Sequence, residues 1–331
     1  MADPQSVRTV LADLRAESDA LDSLVAGLAP ADWATPTPAE GWTVAHQISH
    51  LRWTDAKALL AVEDADAFTR EAGGATAPLG TYVEAGAHEG ASWAPPVLLE
   101  RWRSGRARLW ATLTGQPPDR RFPWYGPPMS TASMATGRLM ETWAHGEDIA
   151  DALGVVRTPT RRLWHVARIA VRARDFAYAV HDRTPPGAQF RVELTAPDGT
   201  LWAFGPEDAE QRVTGPALDF CLLAVRRRHR DDVAVRAQGA DADAWLSIAQ
   251  AFAGAPGTGR APRGAGGGTG AGAGSGVGTG ADSGSGSGSG SGVGADARTR
   301  TAAGAGAGSA GDTGPAPGTA TAADSIEGST S

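Results

Sequence analysis

The sequence predicts an α+β protein: a four-helix bundle over residues 1–157, a small α+β domain over 158–254, and a disordered Gly/Ser/Ala-rich tail over 255–331. Three observations carry that reading. Apolar residues recur at three- and four-residue steps through most of the first half, the period of an amphipathic helix. Between Phe190 and Phe204 the pattern changes to the alternation of paired strands. Beyond Gly254 the chain is mostly Gly, Ala, Ser and Thr, with almost no large apolar residue, so it cannot bury enough surface to offset its chain entropy.

The first helix is read from Val7, Val10, Leu11, Leu14, Leu21, Leu24, Val25 and Leu28, with Ala29-Pro30 as its stop. After a loop rich in Pro and Thr, Thr43 is placed to cap a second helix. Its stripe is Val44, Ile48, Leu51, Ala58 and Leu59, and Trp42 packs across its entry. A long connection through Gly73-Gly74 leads to Pro95-Pro96, which suits the start of a third helix carrying Val97, Leu98, Leu99, Trp102, Leu109, Trp110 and Leu113. A Pro-rich loop, Pro123 to Pro128, precedes a fourth helix from about Ser130 to Leu153, ended by Gly154. A further helix, about Arg161 to Val180, opens the second unit. Phe190 to Leu194 and Leu201 to Phe204 then form a hairpin about Asp198-Gly199. Next come a strand at Gln211 to Thr214, a helix from about Pro216 to Arg227, a strand at Val233 to Val235, and a helix from Ala240 to Phe252.

Composition excludes several classes of function. The formal charge of −7 over 331 residues argues against broad nucleic-acid binding. A single cysteine, Cys221, excludes an intramolecular disulfide framework and any cysteine-rich metal cluster. No apolar run is long enough to span a bilayer, and the polar start lacks the charged and apolar regions of a signal peptide, so a cytoplasmic protein is expected. Lys57 is the only lysine among many arginines, a bias of high-GC genomes.

The chemistry rests on three residues. Glu141 and His145 are four apart, which places a carboxylate and an imidazole one turn apart on one face of the fourth helix. His50 lies on the second helix, near or on the border of its apolar stripe. Two His and one Glu from two helices form a facial set that holds a divalent metal and leaves positions open for water or substrate. His46, one turn before His50, is the competing ligand and would close the site as a fourth. Asp55 reads as a charge at the edge of the stripe rather than as a partner of a metal-bound His. His88, His165, His181 and His229 read as surface or locally hydrogen-bonded residues. The run Arg226 to Arg230 reads as a solvated helix end, with anion recognition as its functional alternative.

Gly41-Trp-Thr-Val, Ser49-His50-Leu51 and Glu141-Thr-Trp-Ala-His145-Gly-Glu-Asp-Ile-Ala-Asp-Ala-Leu-Gly154 resemble the DinB-like metal-binding bundle of the mycothiol-dependent maleylpyruvate isomerases and their actinobacterial relatives, over roughly residues 5–155. That resemblance implies a divalent metal, usually zinc, on His50, Glu141 and His145. It also implies mycothiol as a thiol cofactor and a small electrophilic or anionic substrate. His46 stands where many relatives carry an acidic residue, which leaves its role open. The family uses an arginine of the second domain near its substrate, for which Arg227 and Arg228 are the candidates. The segments Leu218 to Asp232 and Ala244 to Gly254 resemble an uncharacterised actinobacterial branch and a short domain named for wyosine base formation. The radical chemistry of wyosine enzymes needs a three-cysteine iron–sulfur motif, which one cysteine cannot supply. The expected activity is thus mycothiol-dependent isomerisation or thiol transfer. The alternatives are metal-assisted hydrolysis on the same bundle, or a non-catalytic metal-binding stress or interaction protein with the tail as a flexible tether.

Overall fold

The computed structural model describes residues 4–74, 78–254, 257 and 259–263; the rest of the tail expected over 255–331 lies outside them. The four predicted helices are present. Helix α1 (Pro4–Val25) buries Val7, Val10, Leu11, Leu14, Leu21 and Val25 of the predicted stripe; Leu24 is half-buried and Leu28 lies beyond the helix end. It ends before the Pro30–Ala34 3-10 turn, where Asp32 accepts the Ala29 N–H. Helix α2 (Val44–Glu63) is buried around most of its circumference. Two helices that the sequence reading took for a connection follow it, α3 (Ala65–Gly74) and α4 (Leu79–Ala91). Helix α5 (Pro95–Thr114) starts at the predicted Pro pair, and α6 (Thr131–Ala152) is capped by Ser130, whose Oγ accepts the Ser133 N–H. Short strands β1 (Arg121–Phe122) and β2 (Met129–Ser130) pair across the Pro-rich loop.

Helix α2 is the centre of the helical part, with α3, α4, α5 and α6 packed around it; α1 lies on α5 and α6. The Gly73-Gly74 pair that marked the expected connection closes α3, whereas Gly86 and Gly90 bring α4 close to α2. A Cβ on Gly86 would lie 2.4 Å from the Trp53 ring, and one on Gly90 would lie 2.4 Å from Ser49 Oγ. Ser49 Oγ donates to the Gly86 carbonyl across this contact. Gly86→Ala is therefore expected to destabilise the protein by roughly 1–3 kcal/mol through overpacking. Gly80→Ala, where a Cβ meets nothing, should instead gain about 0.5–1 kcal/mol from helix propensity. Equal urea midpoints for the two variants would refute the close-packing account.

In the second part, the predicted helix over 161–180 is divided at Ala173 into α7 (Leu163–Arg172) and α8 (Arg174–Ala179). Strands β3 (Phe190–Thr195) and β4 (Leu201–Phe204) form the expected hairpin, with Gly199 at φ 81 in its turn. Strand β5 (Gln211–Pro216) runs parallel to β3. The last strand, β6 (Arg236–Gln238), begins just beyond the predicted Val233 to Val235 and pairs antiparallel with β5, giving the order β4-β3-β5-β6. Helices α9 (Ala217–Ala224) and α10 (Ala240–Ile248) both end before their predicted limits. Of two apolar cores among the described residues, the larger joins Leu14, Leu139 and Trp143 of the helical part to Val166, Leu194, Phe220 and Trp245, and the smaller gathers Leu21, Ile48, Leu51, Leu98 and Trp102. Glu17 of α1, 2% exposed, accepts hydrogen bonds from Arg157 and Arg162, which fixes the chain leaving α6. Among the described residues, no helix is long and apolar enough to cross a membrane.

Candidate metal centre

The middle of α2 faces the middle of α6, and there His50, Glu141 and His145 converge, one ligand atom from each lying within 4.8 Å of the others. Glu141 Oε2 is 3.4 Å from His50 Nε2 and 3.3 Å from His145 Nε2. These separations exceed the usual N–H···O hydrogen bond of about 2.7–3.2 Å. They match the roughly 3.3–3.4 Å edge of a tetrahedron whose ligands stand about 2.0–2.1 Å from a central zinc. Both imidazoles are buried, and the Glu141 side chain is only slightly more exposed, at 16%.

The protonation states suit a cation. Burial, followed by the nearby His50 charge, pushes His145 down to about 4. Burial opposes ionisation of Glu141, yet its contacts with His145 and His50 and the Arg138 charge hold that carboxyl well below the usual carboxylate range. The tautomer of His145 follows from a chain of hydrogen bonds. Thr37 Oγ1 donates to the Trp42 carbonyl and accepts from Gln47 Nε2 at 2.8 Å. Gln47 must then present Oε1 to His145 Nδ1, which carries the hydrogen. That leaves the Nε2 lone pair directed at the centre. Neutral imidazole nitrogen and ionised carboxylate oxygen are the donor set of zinc and similar divalent metals. His50 Nδ1, by contrast, has no hydrogen-bond partner among the described residues. Gln47 carried no signal in the sequence reading, since a lone Gln beside an apolar stripe is ordinary. Gln47→Leu is expected to weaken metal binding about 10–100-fold while leaving all three ligands in place. A competition titration against a chelator would show this, and an unchanged affinity would contradict the tautomer argument.

His46 is turned away from this group. Its Nδ1 accepts the Thr43 N–H at 3.2 Å, and its Nε2 lies 2.9 Å from His88 Nδ1. His88 Nε2 is 3.0 Å from Glu84, and Glu84 also accepts the Trp42 indole N–H at 2.9 Å. Trp42 is thereby pinned over the centre, with its ring centroid 5.4 Å from His50 and 6.0 Å from His145. His165 is buried and pairs across the fold with Asp13 of α1 at 2.8 Å, so it is neither a surface residue nor locally bonded as expected.

Arg227 and Arg228 are ion-paired to α6 rather than solvated. Arg227 Nη2 is 2.7 Å from Asp148, and Arg228 binds both oxygens of Asp151 at 2.8 and 2.9 Å. Arg260, within the expected tail, binds the same two carboxylates. Asp148 Oδ2 in turn stands 4.0 Å from His145 Nδ1, which places this cluster directly behind a candidate ligand. Asp55 is buried rather than set at the edge of its stripe. The space beside it is taken by α6, whose Arg138 lies 3.9 Å away.

Comparison with known proteins gives the same architecture. The model of the mycothiol maleylpyruvate isomerase N-terminal domain matches residues 14–150, and the wyosine base formation model matches residues 186–238. The uncharacterized proteins MT0041 and Rv0036c, from two strains of Mycobacterium tuberculosis, are each 54% identical to the chain over 253 residues. The match covers 76% of this chain and 97% of each relative. The crystal structure of the mycothiol-dependent maleylpyruvate isomerase shares the fold, with a TM-score of 0.52 and 17% identity. It covers 71% of this chain and 95% of that one, and a mutant of the same isomerase gives a TM-score of 0.51. The chain belongs to one family with these mycobacterial proteins, its residues 14–150 matching the mycothiol maleylpyruvate isomerase N-terminal domain model and its residues 186–238 the wyosine base formation model.

Proposed function

We propose that the protein is a divalent-metal, mycothiol-dependent enzyme that isomerises a small electrophilic or anionic substrate or transfers the thiol to it. The observation that supports this reading is the convergence of His50, Glu141 and His145, with both imidazole nitrogens at tetrahedral-edge distance from Glu141 Oε2, in a helical part that matches the isomerase N-terminal domain model. Zinc fits the donor set best. When bound, a metal there supplies a lowered pKa to a coordinated thiol or water and polarises a substrate oxygen. The protein's own share is positional. Gln47 holds the His145 ring, and Trp42 covers the two imidazoles. A three-ligand set leaves room for an exchangeable ligand, because both nitrogens of His46 are engaged elsewhere. The use of a reduced thiol also agrees with a cytoplasmic setting.

The test uses the full-length protein, because a chain cut near Gly257 would lose Arg260 and its contacts with Asp148 and Asp151. Elemental analysis should find about one metal per chain, and mycothiol added to the cobalt-substituted protein should shift its visible spectrum. A metal that shows no thiol response would replace this reading with hydrolysis or a structural site. Absence of bound metal would overturn it.

A further inference from the structure

One buried cation beside the centre has no adequate partner. Arg138 occupies the position three residues before Glu141 and seven before His145, so it shares their face of α6. It is 5% exposed, and its Nε and Nη1 have no hydrogen-bond partner among the described residues. Its nearest acid is Asp55, 6% exposed, at 3.9 Å. A charge-assisted N–H···O contact would close to about 2.7–2.9 Å, and an arginine built only for a carboxylate of its own chain would commonly grip it through two parallel hydrogen bonds. The pair is also weakly compensated, because burial raises the Asp55 carboxyl to about 6 in spite of Arg138. Arginine cannot discharge itself by losing its proton. Leaving such donors unpaired in a dry interior is costly, so an arrangement of this kind suits an anion that arrives from outside.

The surroundings define that anion. The guanidinium lies 5.5 Å from the centroid of Trp124, whose ring stacks on Phe68 and meets Tyr125 edge-on at 5.1 Å. The Pro-rich loop that carries Trp124 and Tyr125 therefore reaches the ligand-bearing face of α6. Asp55 and Glu141 flank Arg138, and their negative charge disfavours a phosphate dianion more than a singly charged group.

We propose that Arg138, backed by the Trp124 ring, is the anion-recognition residue of this centre and takes a carboxylate of the substrate in a two-point grip, with Asp55 as its counter-charge in the resting protein. The inference rests on the enzymatic reading above and adds to it the residue that grips the substrate's carboxylate.

The test is calorimetric titration of the full-length protein with succinate and fumarate, in metal-free and zinc-loaded forms. Neutral succinamide and inorganic phosphate serve as contrasts. Saturable binding of a dicarboxylate in both forms is expected, weakened roughly ten- to hundredfold in Arg138→Gln and partly restored in Arg138→Lys. Metal content and near-ultraviolet dichroism should stay unchanged in these variants. Asp55→Asn, which removes the competing charge, should tighten binding severalfold and decides the matter if Arg138→Gln fails to fold. No saturable binding, equal affinity in Arg138→Gln, or an unchanged or weaker affinity in Asp55→Asn would overturn the proposal. Arg138-dependent binding by a protein that takes up no metal would sink the metal-enzyme reading and leave this one standing. Metal uptake with a thiol response but no Arg138 effect would do the reverse.

Discussion

His145→Ala in the full-length protein is expected to reduce bound metal from about one ion per chain to near zero, because two remaining ligands cannot hold a divalent ion against water. Elemental analysis reads this directly, and wild-type metal content in the variant would remove His145 from the ligand set. A second readout comes from linkage. A metal that binds only the folded state adds about 2.7 kcal/mol at a free concentration one hundred times its Kd. A chelator should therefore lower the melting temperature of the wild type and leave that of His145→Ala unchanged. Acid adds a third signature in the metal-free protein. His145 is held at about 4 by burial, below its ordinary value near 6.5, so the unfolded chain takes up the proton first. This contribution to stability is intact above pH about 6.5 and is lost as the pH falls through about 4. His145→Ala should show a flatter profile across that window.

Asp148→Ala is expected to cost about 3 kcal/mol of stability, near the lower end of what breaking a buried ion pair removes. Asp148 is 2% exposed and serves both Arg227 and Arg260, so its loss removes the acidic partner of Arg227 and one of the two carboxylates that hold Arg260. The estimate stays at the lower end because both arginines keep some contact with solvent. The effect should reach the metal centre as well, since Asp148 stands behind His145. Urea unfolding of Asp148→Ala, Arg227→Ala and the double variant separates the pair from its neighbours. Strictly additive losses would show that the two do not act together.

The Arg226 to Arg230 run shows why sequence reasoning stopped where it did. Five basic or imidazole side chains at a helix end are compatible with solvation, anion binding or internal pairing, and nothing local chooses among them. The choice is made by Asp148 and Asp151, which are brought within reach only when α6 packs against the second part of the chain. Arg260 was hidden for a different reason. It sits in a Gly-rich stretch whose composition predicts no fixed position, yet two carboxylates already in place are enough to hold one arginine. Helix α4 was missed because Gly73-Gly74 signals a loop locally, while Gly86 and Gly90 matter only through how closely they let α4 approach Trp53 and Ser49.

The sequence by itself determined the features whose physics is local. The three- and four-residue apolar steps of α1, α2, α5 and α6, the Asp198-Gly199 hairpin, and the one-turn spacing of Glu141 and His145 each depend on neighbours within a few residues. Only the tertiary structure decided that His50 faces Glu141 while His46 faces His88, that Gln47 orients His145, and that Asp55 and Arg138 are buried side by side. Those outcomes depend on which helix faces meet and which polar atoms are left to find partners, and both are settled by packing between segments far apart in the chain.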